Sequence, residues 1–591
     1  MRVRGEDMRL KQQLTLIILI TILTLTGPVQ AVTASQLADH DDSNTTTKMR
    51  LPNEGRSDLQ ELIQRVDANV GEPSSEEPSS DPEVDEPETA EEPVEDSGVS
   101  EAEVKEAPEA TDSQKPVAKN KAPKAITTNT NGDSTWTFDS DTGLLVFGAG
   151  TLAERIDNNL TNAGVTPADV TSIQFESGVV APTAVTYLFA NLTQLSELID
   201  LNNFNTSSVT SMSYWFYQTT ALSTPDLSTF VTSNVTSMSY MFRGSGVTSL
   251  DLSSWNVDKV TTFAYMFYAT LELTTLNLSG WGDGRTATTV NMSYMFWSST
   301  TSKLTNLNLS NFKTKNVTNM SLMFRCIGVT SLDINSWDVT KVNNFYGMFY
   351  GAANLLALNL SGWGGARTAT GVDMSLMFQF TSSLTDLNLT NFKTTNVTNM
   401  YQMFYGVKLT NLDLSDWDVT KVTDFTYMFS STSLTSLNVS GWGVGRTANN
   451  VKMAGMFNAT SLTNLDMTNF QTKNVTNMSN MFSQVGLTSL DLSDWDVTKV
   501  TTFKSMFGGS KLKTLTLGEW NIGDVATTVD MSGMFATTTE LTNLNITNTT
   551  AKNITTMASM FANSTVTAVV LDDNWNLDTV SSFSYMFDRA K

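Results

Sequence analysis

The chain has 591 residues, a net charge of −24, and only 16% charged residues where about 25% is usual for globular proteins. Its one His (His40) and one Cys (Cys326) exclude a Cys/His zinc site and an intrachain disulfide. A His-dependent nucleophile would have to use His40. The acidic balance argues against a nucleic-acid partner, whose phosphates need a basic surface.

Arg2, Arg4, Arg9 and Lys11 precede an apolar run from Leu14 to Leu25, followed by Gly27, Pro28 and small residues through Ala31 and Ala34. That order predicts a signal peptide over residues 1–31, cut after Ala31 or Ala34. The run is about a dozen residues, short of the ~20 needed to cross a bilayer, so no membrane span is expected in the mature chain. Residues 36–125 carry 24 acidic and nine basic groups, and nine of the 13 prolines lie between Pro52 and Pro123. Such a stretch repels itself and has little to bury, which predicts a disordered, projecting acidic stalk over residues 32–125.

Residues 126–195 read as a β cap. Trp136 and Phe138 alternate, Asp139 to Gly143 turn, and Leu144 to Phe147 return, as in a β-hairpin. Alternation from Val170 to Phe175 predicts a further strand, which would cover the first edge of the segment beginning at residue 196.

Residues 196–591 repeat. A Met-Phe dipeptide, or its variants Leu188-Phe189 and Trp215-Phe216, recurs from Phe189 to Phe587 at a mean spacing of about 26 residues, the mark of a solenoid. In the unit from Leu487 to Phe507, L-x-x-L-x-L suits a short strand with Leu490 and Leu492 inward and Ser489, Asp491 and Ser493 outward. Val500, Phe503, Met506 and Phe507 come next at i, i+3, i+6 and i+7, which predicts one stripe of a short helix. The units come in three kinds. One carries Trp (Trp255, Trp337, Trp417, Trp495), one a Gly-rich insertion (280–285, 362–367, 441–446), and one Asn-Phe (Phe312, Phe392, Phe470). The expected fold is an α/β repeat: about 16 turns, each a short parallel strand plus a short helix, behind a small β cap.

L-x-x-L-x-L joined to V-T-x-M-x-x-M-F closely resembles the BspA-type leucine-rich repeat of bacterial surface proteins, first labelled a domain of unknown function in mycoplasma surface lipoproteins. The resemblance covers residues 196–587. It implies a curved right-handed solenoid at the cell exterior, a role in adhesion to host or matrix proteins, and no catalytic residues. Only four residues stand after the last Met-Phe, with no L-P-x-T-G motif and no capping unit. Either the chain continues or another means retains it at the surface.

The residue between the strand leucines points outward and is Asp251, Asp333, Asp413 or Asp491 in the Trp units, with Asn or another Asp in most turns between. These form a polar ladder and the candidate binding face. A calcium column is disfavoured because Asn alternates with Asp where a hard cation wants six to eight oxygens. Arg285, Arg367 and Arg446 close the Gly-rich insertions, one per three turns, and make a second candidate stripe. No catalytic constellation, cofactor or metal is expected. The expected function is non-catalytic binding of a host or cell-surface protein or glycoprotein by a secreted, surface-associated chain. The alternative is a structural spacer or coat component. A glycan-binding module is disfavoured, since Trp and Phe look committed to the core.

Overall fold

The computed structural model describes residues 126–566, 569 and 574–591; the expected signal peptide, the expected acidic stalk and His40 lie outside the described residues. The chain enters through Ile126–Asn131 and Ser134–Asp139, which pair antiparallel, and Leu144–Phe147 pairs antiparallel with the second of these. Ser172–Phe175 then pairs parallel with Leu144–Phe147, and Glu197–Ile199 with Ser172–Phe175. Hairpin geometry thus passes into the parallel stacking of a solenoid within one five-stranded sheet. Ile156–Asn162 is the one α-helix among the described residues.

From Ser249 to Thr556 each turn carries two short β segments. The first is the predicted L-x-L strand, as in Ser249–Asp251, Thr275–Asn277 and Asn306–Asn308. In the Leu487–Phe507 unit, Leu490 and Leu492 are buried and Ser489 and Asp491 exposed, as alternation requires. These strands pair in parallel sets of three: 249–308, 331–388, 411–466 and 489–545. Sheet pairing stops between one set and the next, matching the three-kind alternation of the sequence.

The second β segment sits where a helix was expected. Ser211, Ser237, Thr262, Asn291, Asn319 and Asn344 begin a parallel ladder that continues turn by turn to Ser582 without interruption. No helix forms here, which corrects the expectation from spacing. After the ladder residue the chain folds into successive tight turns whose N–H groups donate forward to the next copy. Met212, Tyr214, Phe216 and Gln218 donate to the carbonyls of Ser237, Ser239, Met241 and Arg243. Bonds between turns replace the i→i−4 bonds of a helix. The residue before each Met-Phe also has left-handed φ, +58° at Tyr240 and +53° at Ser505, which a right-handed helix cannot contain.

The apolar stripe itself is buried as its spacing demands: Val500, Phe503, Met506 and Phe507 are all 0% exposed. The Met-Phe phenylalanines stack face to face from Phe189 to Phe587, each ring 5.1–5.9 Å from the next. Tryptophan joins neighbouring turns by a further bond: the indole N–H of Trp281, Trp363, Trp442 and Trp520 donates to the carbonyl of Leu252, Ile334, Leu414 and Leu492 at 2.8–3.0 Å. A buried indole without such an acceptor would be costly.

Candidate functional site

Three sets of side chains stand out on this scaffold. The first is the outward row of the L-x-L strands. Asp251, Asp333, Asp413 and Asp491 are exposed, one in the first strand of each three-strand set. Each Oδ1 accepts the backbone N–H two residues on: Ser253 at 3.0 Å, Asn335 at 3.4 Å, Ser415 at 3.1 Å and Ser493 at 3.0 Å. The hydroxyls of Ser253, Ser415 and Ser493 donate to the same oxygens. These hydrogen bonds hold the carboxyls of Asp251 and Asp413 below the usual range. One oxygen of each carboxylate therefore closes its own turn. The four carboxylates are not gathered, since two intervening strands separate each from the next. Among the described residues no group of three or more His, Cys, Asp or Glu could hold a metal ion.

The second set is Arg285, Arg367 and Arg446, and here the expected surface stripe is corrected. All three are buried, at 5%, 8% and 7% exposure. Each guanidinium lies over a core ring, Phe263, Phe345 or Phe425, at 5.8, 5.4 and 5.7 Å. Each donates to a backbone carbonyl: Lys313 at 3.4 Å, Val342 at 3.2 Å and Gln471 at 3.3 Å. Loss of hydration pushes all three down to about 10, so they stay charged at neutral pH. The Gly-rich insertion wraps them. Gly282 has φ +81°, and a Cβ there would stand 2.5 Å from Nη2 of Arg285. The arginines brace the loop from within and present no stripe to solvent.

The third set was not read from the sequence. The residue before each Met-Phe-type dipeptide is Tyr in five successive turns: Tyr187, Tyr214, Tyr240, Tyr265 and Tyr294. Their half-buried rings stack at 4.1, 4.5, 4.5 and 4.3 Å between centroids. The residue after the dipeptide builds a parallel column: Tyr217, Arg243, Tyr268, Trp297, Arg325 and Tyr350. In it the Arg243 guanidinium lies 5.5 Å from the Tyr217 ring and 5.0 Å from that of Tyr268. Tyr268 stacks on Trp297 at 4.4 Å, and Arg325 lies 4.6 Å from Trp297 and 5.0 Å from Tyr350. Burial raises the phenol pKa of Tyr214, Tyr240 and Tyr265, so the ridge stays uncharged except at its arginines. The signal was present in S-Y-M-F. Aligning units on Met-Phe hides it, because beyond these five turns the neighbouring position is Tyr only at Tyr427 and Tyr585.

The family model described as "Mycoplasma protein of unknown function, DUF285" matches residues 183–304, 282–370, 372–489, 439–531 and 486–591. The chain belongs to this family. The DUF285 match takes in the whole tyrosine row and every three-strand set of L-x-L strands. The structure is similar to those of a leucine-rich repeat protein from Bacteroides ovatus ATCC 8483 (13% identity, 73% of this chain and 99% of that chain, TM-score 0.27) and one from Eubacterium ventriosum ATCC 27560 (11%, 79% and 96%, TM-score 0.25). It is also similar to a leucine rich cell surface protein from Faecalibacterium prausnitzii A2-165 (13%, 72% and 96%, TM-score 0.24). No curated protein matches this DUF285 chain. No helix among the described residues is long and apolar enough to cross a membrane.

Proposed function

We propose that this chain is an exported, non-catalytic binding protein of the cell exterior, engaging a host or cell-surface protein or glycoprotein through the outward row of its L-x-L strands. The observation that carries the reading is that row: exposed or half-buried Ser, Thr, Asn and Asp repeated on strand after strand, with Asp251, Asp333, Asp413 and Asp491 each keeping one carboxylate oxygen free of the turn bond. Hydrogen-bonding groups spread over many turns suit many weak contacts rather than one deep pocket. The basic, apolar, small-residue order of residues 1–31 supports export, and the acidic stretch 32–125 supports display away from the membrane.

The test is a set of full-length proteins each lacking one three-turn block, assayed against candidate host and cell-surface ligands. Gradual loss of affinity with each deletion is the expected result. No saturable binding by any form would favour the spacer, in which the solenoid only sets a distance.

A further inference from the structure

We propose that the tyrosine-arginine ridge over the first seven turns, residues 183–351, is a second interaction surface, separate from the strand row, and that it takes an acidic polypeptide segment of a partner protein.

Three observations carry this. The first is composition: Tyr, Trp and Arg concentrate there, the residue types that dominate binding energy at protein interfaces. In the later turns the same two positions hold mostly small or neutral residues such as Gly455, Asn458, Ser505 and Gly508, with Tyr405, Tyr427, Tyr585 and Asp588 as the exceptions. The solenoid needs no aromatic residue at this place to stack, so the tyrosines are an addition to the repeat.

The second is charge. In the seven stretches flanking these turns (183–191, 210–218, 236–244, 261–269, 290–298, 318–326 and 343–351) there is no Asp or Glu, and there are two arginines, Arg243 and Arg325. The next turn brings Asp373 into the same ladder. A chain of net charge −24 thus keeps one ridge free of acid and places guanidinium groups along it. Their planes are held between aromatic rings, which preorganises the forks for carboxylates.

The third is geometry. The tyrosine faces are occupied: Arg155 lies 4.6 Å from the Tyr187 ring, and each later ring covers the one before. The five tyrosines and the two arginines are half-buried, so part of each side chain reaches solvent. A sugar ring that needs an open aromatic face to stack on finds none on Tyr187, Tyr214, Tyr240 or Tyr265. A carboxylate-bearing peptide meets two guanidinium groups, Arg243 and Arg325, three turns apart. Seven turns at about 4.8 Å extend roughly 30 Å, the length of about nine extended residues.

The experiment uses the full chain and immobilised peptides of about ten residues, rich in Asp and Glu, beside matched peptides with Lys in place of the acids. A sulfated polysaccharide serves as the glycan probe. Two variants keep the fold by borrowing the repeat's own alternatives. R243Q/R325Q uses the Gln found at position 379, and Y214G/Y240G/Y265G uses the Gly found at 347, 455 and 533. The expected result is saturable binding of acidic over Lys peptides, weakened at least about tenfold by either variant. D251N/D333N/D413N/D491N, on the strand row, should leave it unchanged, so failure here and failure of the strand-row reading are told apart. Equal binding of acidic and Lys peptides, unchanged affinity in both variants, or capture of the polysaccharide alone would overturn the proposal.

Discussion

Asp251, Asp413 and Asp466 each accept a backbone N–H two residues on, and Asn277 and Asn438 make the same bond in sister turns. The bond needs an acceptor oxygen at that place but not a charge. The Ser253 hydroxyl first on Asp251, and the backbone bonds followed by the Ser415 and Thr468 hydroxyls on Asp413 and Asp466, hold the three carboxyls below their ordinary value of 3.8. A carboxyl whose folded pKa is depressed contributes stability that is fully present above the unfolded value and is lost as pH falls through the folded one. D251N/D413N/D466N keeps the acceptor oxygen but loses the contribution of the ionised carboxylates, so it should unfold at a slightly lower temperature than the parent at neutral pH and converge with it in acid. Between about pH 4 and pH 2 its melting temperature should fall less steeply than the parent's, read by circular dichroism. An equal acid slope in the two proteins would show that the carboxylates contribute nothing through these bonds.

The nested turns before and after each Met-Phe depend on left-handed backbone at fixed places. Ser505 adopts φ +53° where Gly347, Gly455 and Gly533 stand in other units. A β-branched side chain is poorly tolerated in that region, at a cost of about 1–2 kcal/mol. Ser505→Val should lower the unfolding free energy by that amount, while Ser505→Gly should match or exceed the parent. If the segment were helical, Ser505→Gly would instead be the damaging change, by up to about 1 kcal/mol. The strands were legible because an alternation of period two, as at Leu490 and Leu492, has one interpretation when one face must be buried. The turns were not. Val500, Phe503, Met506 and Phe507 satisfy the spacing of a helix stripe, and tight turns that bring the same residues inward produce that spacing too. The arginines were misplaced for a different reason. A charged residue beside glycines reads as surface, and nothing local to Arg446 reveals that Phe425, far back along the chain, provides a ring beneath it. The tyrosine row needed comparison across units at one position, not within a unit.

A column in which each turn touches only its neighbours has stability that adds along its length. The three kinds of turn recur every 78–82 residues between Phe242, Phe324, Phe404, Phe482 and Phe561, and the strand sheets divide at the same period. Removing residues 325–404 joins Phe324 to the chain after Phe404 and restores every neighbour to its own kind. That deletion should fold with one cooperative transition and a proportionally smaller urea m-value. Removing only 325–349 places unlike turns together, with the Gly-rich insertion of 362–367 out of register. It should yield a protein with a lower midpoint and early proteolytic cutting at the junction.

The strand ladders stop at three joints, between Asn308 and Ser331, Asn388 and Asn411, and Asp466 and Ser489, while the ladder from Ser211 to Ser582 crosses all of them. Mechanically this is a strap hinged along one side. Bending that opens the strand side separates sets already unpaired there, whereas bending the other way must strain a continuous row of backbone bonds. The molecule thus has a compliant side and an inextensible side, and the tyrosine ridge belongs to the second. A partner lying along the strand row could be met by flexing at the joints, but one lying along the ridge must fit a ruler of fixed pitch.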